Sequence, residues 1–232
     1  MGATSHLQNT LEARIRVVEG EISAACHSAG RPRQAVRLVA ASKTQSADTV
    51  QKAYRAGLTE FGENYLQEAL SKIRALSGLP LVWHYIGSIQ SNKTAAIAAH
   101  FDWVHTVSRV KIAQRLSQQR GAGAPLNVCL QVNIDNDPAK SGVLSEDLDE
   151  LIAAIVDLPN LKLRGLMTIL SEAGDAAGSF RQMRALFDTV ALSMSPAWDT
   201  LSMGMTQDLN MAVAAGSTLV RIGTAIFGER TD

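Results

Sequence analysis

Short apolar runs of strand length recur along the chain, and longer segments with helical periodicity or alanine-rich composition lie between them. After an amphipathic stretch from Thr10 to His27, eight runs read as strands. They are Arg37 to Ser42, Glu60 to Gly62, Leu81 to Gly87, Trp103 to Val107, Leu126 to Ile134, Lys162 to Ile169, Thr200 to Gly204 and Thr218 to Ile222. Seven intervening segments carry the helical signal, among them Ala47 to Ala56, Tyr65 to Leu76, Thr94 to Ala99 and Ser145 to Val156. Such alternation makes the strands parallel, because each crossover helix carries the chain back to the same end of the sheet. Eight units favour closure into a (β/α)8 TIM barrel, which typically takes about 250 residues. The 232 residues here therefore predict a compact α/β barrel forming a single domain over residues 1–232, with an extra N-terminal helix. A doubly wound open sheet would show a Gly-rich fingerprint after an early strand, and none follows Ser42 or Gly62.

Composition narrows the functional classes. An apolar content of 46% supplies a core, while 22 basic residues balance 22 acidic ones with no long basic tract, which argues against a nucleic-acid surface. Cys26 and Cys129 form no metal-ligand spacing, and Cys129 lies in an apolar strand-like run, so no metal is expected and a reducing compartment fits. Neither a signal segment nor an apolar stretch of membrane-spanning length is evident, and the expected location is the cytoplasm.

In a barrel the loops after the strands open on one face, so strand ends carry the candidate chemistry. The first strand ends at Lys43 and the second at Glu63 and Asn64; the third runs through His84. The sixth ends near Met167 and Thr168, the seventh at Ser202 to Thr206 and the eighth at Arg221 to Thr224. Lys43 closes the apolar run from Val36 and opens a polar turn, Thr44 to Asp48. Partial desolvation at a strand mouth favours a neutral amine, the form that attacks an aldehyde to make a Schiff base. An ordinary solvated lysine would have the same neighbours in sequence. The last two loops, Ser202-Met203-Gly204-Met205-Thr206 and Gly223-Thr224, combine glycines with hydroxyls. Backbone N–H groups approach an anion closely at glycine, and Ser202, Thr206 and Thr224 add donors, which suits a phosphate; tight turns with Thr206 as a helix cap are the structural alternative.

Arg221 interrupts an otherwise apolar strand. A guanidinium only donates, so opposite a pyridine nitrogen it keeps that nitrogen unprotonated and weakens the ring as an electron sink. Lysine, phosphate seat and arginine together suit pyridoxal 5'-phosphate (PLP), although an arginine in a salt bridge across the barrel mouth is the plainer reading. Other residues read as structural. His84 is a hydrogen-bonded strand histidine, Lys93 a solvated helix-start lysine, and Met203, Met205 and Met211 are core; the loop Asn136 to Gly142 is a surface turn, and Tyr65 packs near the pocket or anchors the following helix.

The ordered blocks resemble one family. They are Leu38 to Thr44, Phe61-Gly62-Glu63-Asn64-Tyr65 with Gln67 and Glu68, Trp83-His84-Tyr85-Ile86-Gly87 with Gln90-Ser91-Asn92-Lys93, Lys140-Ser141-Gly142, Arg164-Gly165-Leu166-Met167, Leu201 to Met205 with Asp208, and Val220 to Gly228. Together they are similar to the pyridoxal phosphate homeostasis protein family, relatives of the barrel domain of bacterial alanine racemase (PLP fold type III), and span Leu38 to Gly228. Ser88-Ile89 stands where many members have Pro-Leu, and Thr206 where they often have Ser; neither removes a needed donor. The resemblance implies that Lys43 holds PLP as a Schiff base, Arg221 faces its ring nitrogen, Ser202, Gly223 and Thr224 bind the phosphate, and Asn64 lies near the ring substituents.

It also implies a role. Racemases of this type need a second acid–base group, which in alanine racemase is a tyrosine from a C-terminal β domain, and this chain ends soon after its eighth strand. The expectation is therefore a reversible carrier in intracellular PLP homeostasis, with apo PLP-dependent enzymes as recipients and no committed catalysis. A PLP-dependent amino-acid racemase or related enzyme is the alternative, and a phosphosugar-binding barrel is a third possibility.

Overall fold

In a computed structural model, described here for residues 10–171 and 174–229, eight parallel strands close into a barrel in chain order. The strands are β1 (Arg37–Ala41), β2 (Glu60–Glu63), β3 (Val82–Tyr85), β4 (Trp103–Val107), β5 (Leu126–Gln131), β6 (Leu161–Met167), β7 (Thr200–Ser202) and β8 (Leu219–Ile222). Closure is made by β1 against β8, with Val39 opposite Arg221. All eight predicted strands are present. The observed ones are mostly shorter at their carboxyl ends, because there the chain leaves the ladder to build loops.

Among the described residues, α1 (Leu11–Ser28) precedes the barrel, and α2 (Ala47–Arg55), α3 (Leu66–Ala75), α4 (Thr94–His100), α5 (Val110–Gln119), α6 (Leu148–Ile155), α7 (Ala176–Ala191) and α8 (Leu209–Ala214) link successive strands. A last short helix, α9 (Thr224–Phe227), follows β8. The predicted helix from Ser145 begins as a 3₁₀ turn, Ser145–Asp147, before α6. Thr10 caps α1 by accepting the Ala13 N–H. Ile15, Val18, Ile22 and Ala25 then recur at helical spacing and are buried. This face meets α8 and α9, and Arg14 Nε donates to the Ile226 carbonyl (2.7 Å). The extra helix thus braces the two elements after the last loops.

Most of the core is the layer between the outer face of the strands and the helices. A second, small cluster of Trp103, Cys129 and Met167 lies inside the barrel, reached by the alternate side chains of each strand. One glycine is indispensable to the wall. Gly165 in β6 has φ 149°, and a Cβ there would lie 1.9 Å from the Thr200 carbonyl oxygen. The β5–β6 register shifts beside it, between Val128 and Cys129.

Candidate cofactor site

Lys43 leaves β1 on a segment held from inside the protein. The Ser42 hydroxyl donates to Glu63 Oε1 (2.5 Å), and Lys72 Nζ donates to the same oxygen (2.6 Å) and to the Ser42 carbonyl (2.8 Å). The Glu63 side chain is fully buried and that of Lys72 only 5% exposed. Burial pushes the Glu63 carboxyl above its ordinary value, opposed by the Lys72 ammonium and the Ser42 hydroxyl. On the other side of Lys43, Thr44 adopts φ 67°, an uncommon conformation for a β-branched residue, and its N–H donates to Glu68 Oε2 (3.1 Å). Two carboxylates therefore set the path of the backbone around Lys43. Its own side chain is partly buried, and no ion pair among the described residues includes it.

A cavity of about 630 Å³ opens beside this segment, at the carboxyl end of the barrel, and is lined by Lys43, Arg221, Thr206, Gly223 and Thr224. That size is typical of a pocket for a small organic ligand. Met205, Met211 and Phe227 give it apolar wall. In the loop after β7, Gly204 has φ 100°, and a Cβ there would lie 2.6 Å from Ala212 Cβ. The Met205 N–H donates to Asp208 Oδ1 (2.5 Å), which folds the loop toward α8. Gly223 lies against β1: a Cβ would come 3.2 Å from the Ala41 carbonyl oxygen and 3.4 Å from Ala41 Cβ. Thr224 starts α9, and the first N–H groups of a helix have no acceptor within it.

Arg221 is 5% exposed. Its Nη1 donates to Ser202 Oγ (2.7 Å) and its Nη2 to the Thr168 carbonyl (2.9 Å). Burial lowers its pKa to about 10, against the opposing influence of Asp208 and Cys129, so the guanidinium remains charged at neutral pH.

Five of the seven residues singled out from sequence thus line one cavity: Lys43, Thr206, Arg221, Gly223 and Thr224. Ser202 and Asn64 do not. Ser202 points into the barrel, where its hydroxyl lies between Arg221 and His105 Nδ1 (2.9 Å). Strand alternation accounts for this, since Ser202 and Arg221 both face inward. Asn64 lies just beyond β2, and its Oδ1 is buried without a hydrogen-bond partner among the described residues.

Other residues are placed by the structure. His84 is a hydrogen-bonded strand histidine as read from the sequence, fully buried in the barrel, bonded to His105 and 3.1 Å from Glu60. Met205 and Met211 are not core, being 40% and 41% exposed and part of the cavity wall; Met203 is fully buried. Tyr65 is half exposed at the start of α3 and is not among the lining residues. The sequence reading also missed His105 and Glu60. A histidine within the mostly apolar run Trp103 to Val107 was the available signal for the first.

The closed parallel barrel thus carries a lysine and an arginine in one cavity at its carboxyl end. The family model described as "Alanine racemase, N-terminal domain" matches residues 22–231. A curated relative from Pseudomonas aeruginosa, called pyridoxal phosphate homeostasis protein, is 52% identical over 226 residues, covering 96% of each chain. Among solved structures, PipY of Synechococcus elongatus with PLP bound is 36% identical, with a TM-score of 0.78 covering 89% of this chain and 100% of that one. An alanine racemase from Clostridium difficile shares the fold at 12% identity and a TM-score of 0.72, with 94% of this chain matching 57% of that one. The chain belongs to the alanine racemase N-terminal domain family and, within it, to the pyridoxal phosphate homeostasis proteins.

Proposed function

We propose that this chain binds PLP reversibly as a Schiff base on Lys43 and serves intracellular PLP homeostasis as a carrier. The observation that carries this reading is the single cavity lined by Lys43, Arg221 and the loops after β7 and β8. The donor set fits the cofactor: an amine without an ion-pair partner among the described residues, a guanidinium for the ring nitrogen, and Thr206, Gly223 and Thr224 for the phosphate. PLP supplies an aldehyde, with which the amine forms a C=N bond as one water leaves. Ser202 acts on the cofactor through Arg221 rather than on the phosphate, and Asn64 lies near the ring substituents.

Arg221 holds the ring nitrogen unprotonated, which damps carbanion chemistry and favours storage over turnover. The name of the Pseudomonas aeruginosa relative and the PLP in the PipY structure support the same reading. Apo PLP-dependent enzymes are the recipients, the setting is the cytoplasm, and the barrel acts as one domain. No helix among the described residues is long and apolar enough to cross a membrane.

The deciding experiment is borohydride reduction of the protein incubated with PLP, followed by peptide mass spectrometry. A reduced pyridoxyl adduct on Lys43, absent in Lys43→Ala, is expected; no adduct, or one unchanged in Lys43→Ala, would refute the reading. Sustained racemisation of D- or L-amino acids above a free-PLP control would overturn the carrier role in favour of an enzyme.

A further inference from the structure

Behind Arg221 a row of buried polar groups runs through the barrel toward its amino end. Arg221 Nη1 is 2.7 Å from Ser202 Oγ, Ser202 Oγ is 2.9 Å from His105 Nδ1, His105 Nε2 is 2.9 Å from His84 Nδ1, and His84 Nε2 is 3.1 Å from Glu60 Oε2. Ser202, His105 and His84 are fully buried, while the Glu60 side chain is 20% exposed. Glu60 is the first residue of β2, so the row joins the cavity to the opposite end of the fold.

The direction of every bond follows from its two ends. A guanidinium has no acceptor, so Arg221 donates to Ser202. The serine hydrogen is then free for His105 Nδ1, which places the His105 proton on Nε2, directed at His84 Nδ1. The His84 proton likewise sits on Nε2, the nitrogen 3.1 Å from Glu60 Oε2, a charge contact rather than an aligned hydrogen bond. The reverse order would need an imidazolium at His84 or a protonated Glu60. Burial opposes the first, pushing His105 well below its ordinary value, and His84 below its own despite the opposing pull of Glu60. Burial works against the Glu60 carboxylate as well, but the His84 ring and the Arg37 guanidinium outweigh it and hold Glu60 below its ordinary value.

The geometry points to a one-way hydrogen-bond relay, Arg221–Ser202–His105–His84, ended by a close charge contact of His84 with Glu60, that fixes the guanidinium as a donor toward the cavity and couples it to a carboxylate at the far end of the barrel. The role rests on the PLP reading of the cavity; Ser202, His105, His84 and Glu60 are then positioning residues for the group that meets the ring nitrogen. Other charges face the relay: Arg37 from β1, whose Nη1 is 3.7 Å from Glu60 Oε2, Asp102 near His84, and Asp208 on the Arg221 side. The Arg37 and Arg164 guanidinium carbons each lie 4.5 Å from the centre of the Trp103 ring, which stacks on His84.

Two measurements test it separately from cofactor binding. In protein without PLP, nitrogen-15 NMR of the histidine rings, assigned with His84→Gln and His105→Gln, should show both rings neutral with the proton on Nε2 from about pH 7 to pH 8. A proton on Nδ1 of either ring in that window overturns the relay. In PLP-loaded protein, Glu60→Gln keeps the shape of the terminus and removes its charge. A less negative interior disfavours the protonated form of the bound chromophore, so the pH midpoint of the visible absorption should fall by about half a unit or more. A midpoint equal to that of the wild type overturns the coupling. If wild-type protein shows no PLP-dependent absorption, the cofactor reading fails, while the ring tautomers still decide the relay.

Discussion

Replacing Lys72 by methionine removes the only ammonium among the described residues that contacts the fully buried Glu63 carboxylate. Methionine fills most of the aliphatic volume, so the change isolates charge from packing. Glu63 Oε1 would keep the Ser42 hydroxyl, but Glu63 Oε2 already lacks a hydrogen-bond partner among the described residues, and the Ser42 carbonyl would lose its bond as well. Breaking one side of a buried pair costs about 3–5 kcal/mol, equivalent to a fall in Tm of roughly 6–20 °C for a chain of this length. The loss should depend on pH in a defined sense. Burial already raises the Glu63 pKa in the folded protein, and losing Lys72 raises it further. Stability from a group whose folded pKa is raised is present below the unfolded value and is lost as pH rises through the folded value. The deficit of Lys72→Met should therefore be largest near pH 8 and shrink toward about pH 4–5, where unfolded glutamate titrates. Adding Glu63→Gln, which removes the charge but keeps an acceptor for Ser42, should recover at least half of the loss at pH 8. Urea unfolding at both pH values measures all three proteins. A deficit under about 1 kcal/mol at pH 8, or one independent of pH, would refute the reasoning. Because Lys72 holds the carbonyl immediately before Lys43, the same variant should also load PLP more slowly.

Three further outcomes are expected. Gly165→Ala should lower the yield of folded protein sharply and destabilise what remains by several kcal/mol, since its Cβ would overlap the Thr200 carbonyl at a φ reserved for glycine; circular dichroism melting checks this. Thr44→Asn should raise stability by about 1 kcal/mol in urea unfolding by relieving a β-branched residue at φ 67°. Cys129 is fully buried, with its thiol pushed up to about 12 by burial, and Cys26 is 1% exposed. Neither should react with a disulfide reagent at about pH 8 until denaturant is added, after which both should react.

Much of the fold was legible from the chain because its signals are local. Strand-length apolar runs alternating with helical segments define the parallel barrel, and Lys43, Thr206, Gly223 and Thr224 follow from where strands end, since a barrel opens all its loops on one face. Element ends were read less well, as the strands stop where ladder pairing stops, and that depends on the neighbouring strand. What only the tertiary structure decided is the direction of side chains and their partners. Ser202 looked like a phosphate ligand in its glycine-rich loop, yet strand alternation turns it inward beneath Arg221. Met205 and Met211 looked like core and line the cavity. Glu60, His84, His105 and Arg221 sit on four different strands, and no spacing along the chain relates them. Barrel closure brings them into line, so the sequence determined that a lysine and an arginine stand at the barrel's carboxyl end, and the folded interior decided what holds that arginine in place.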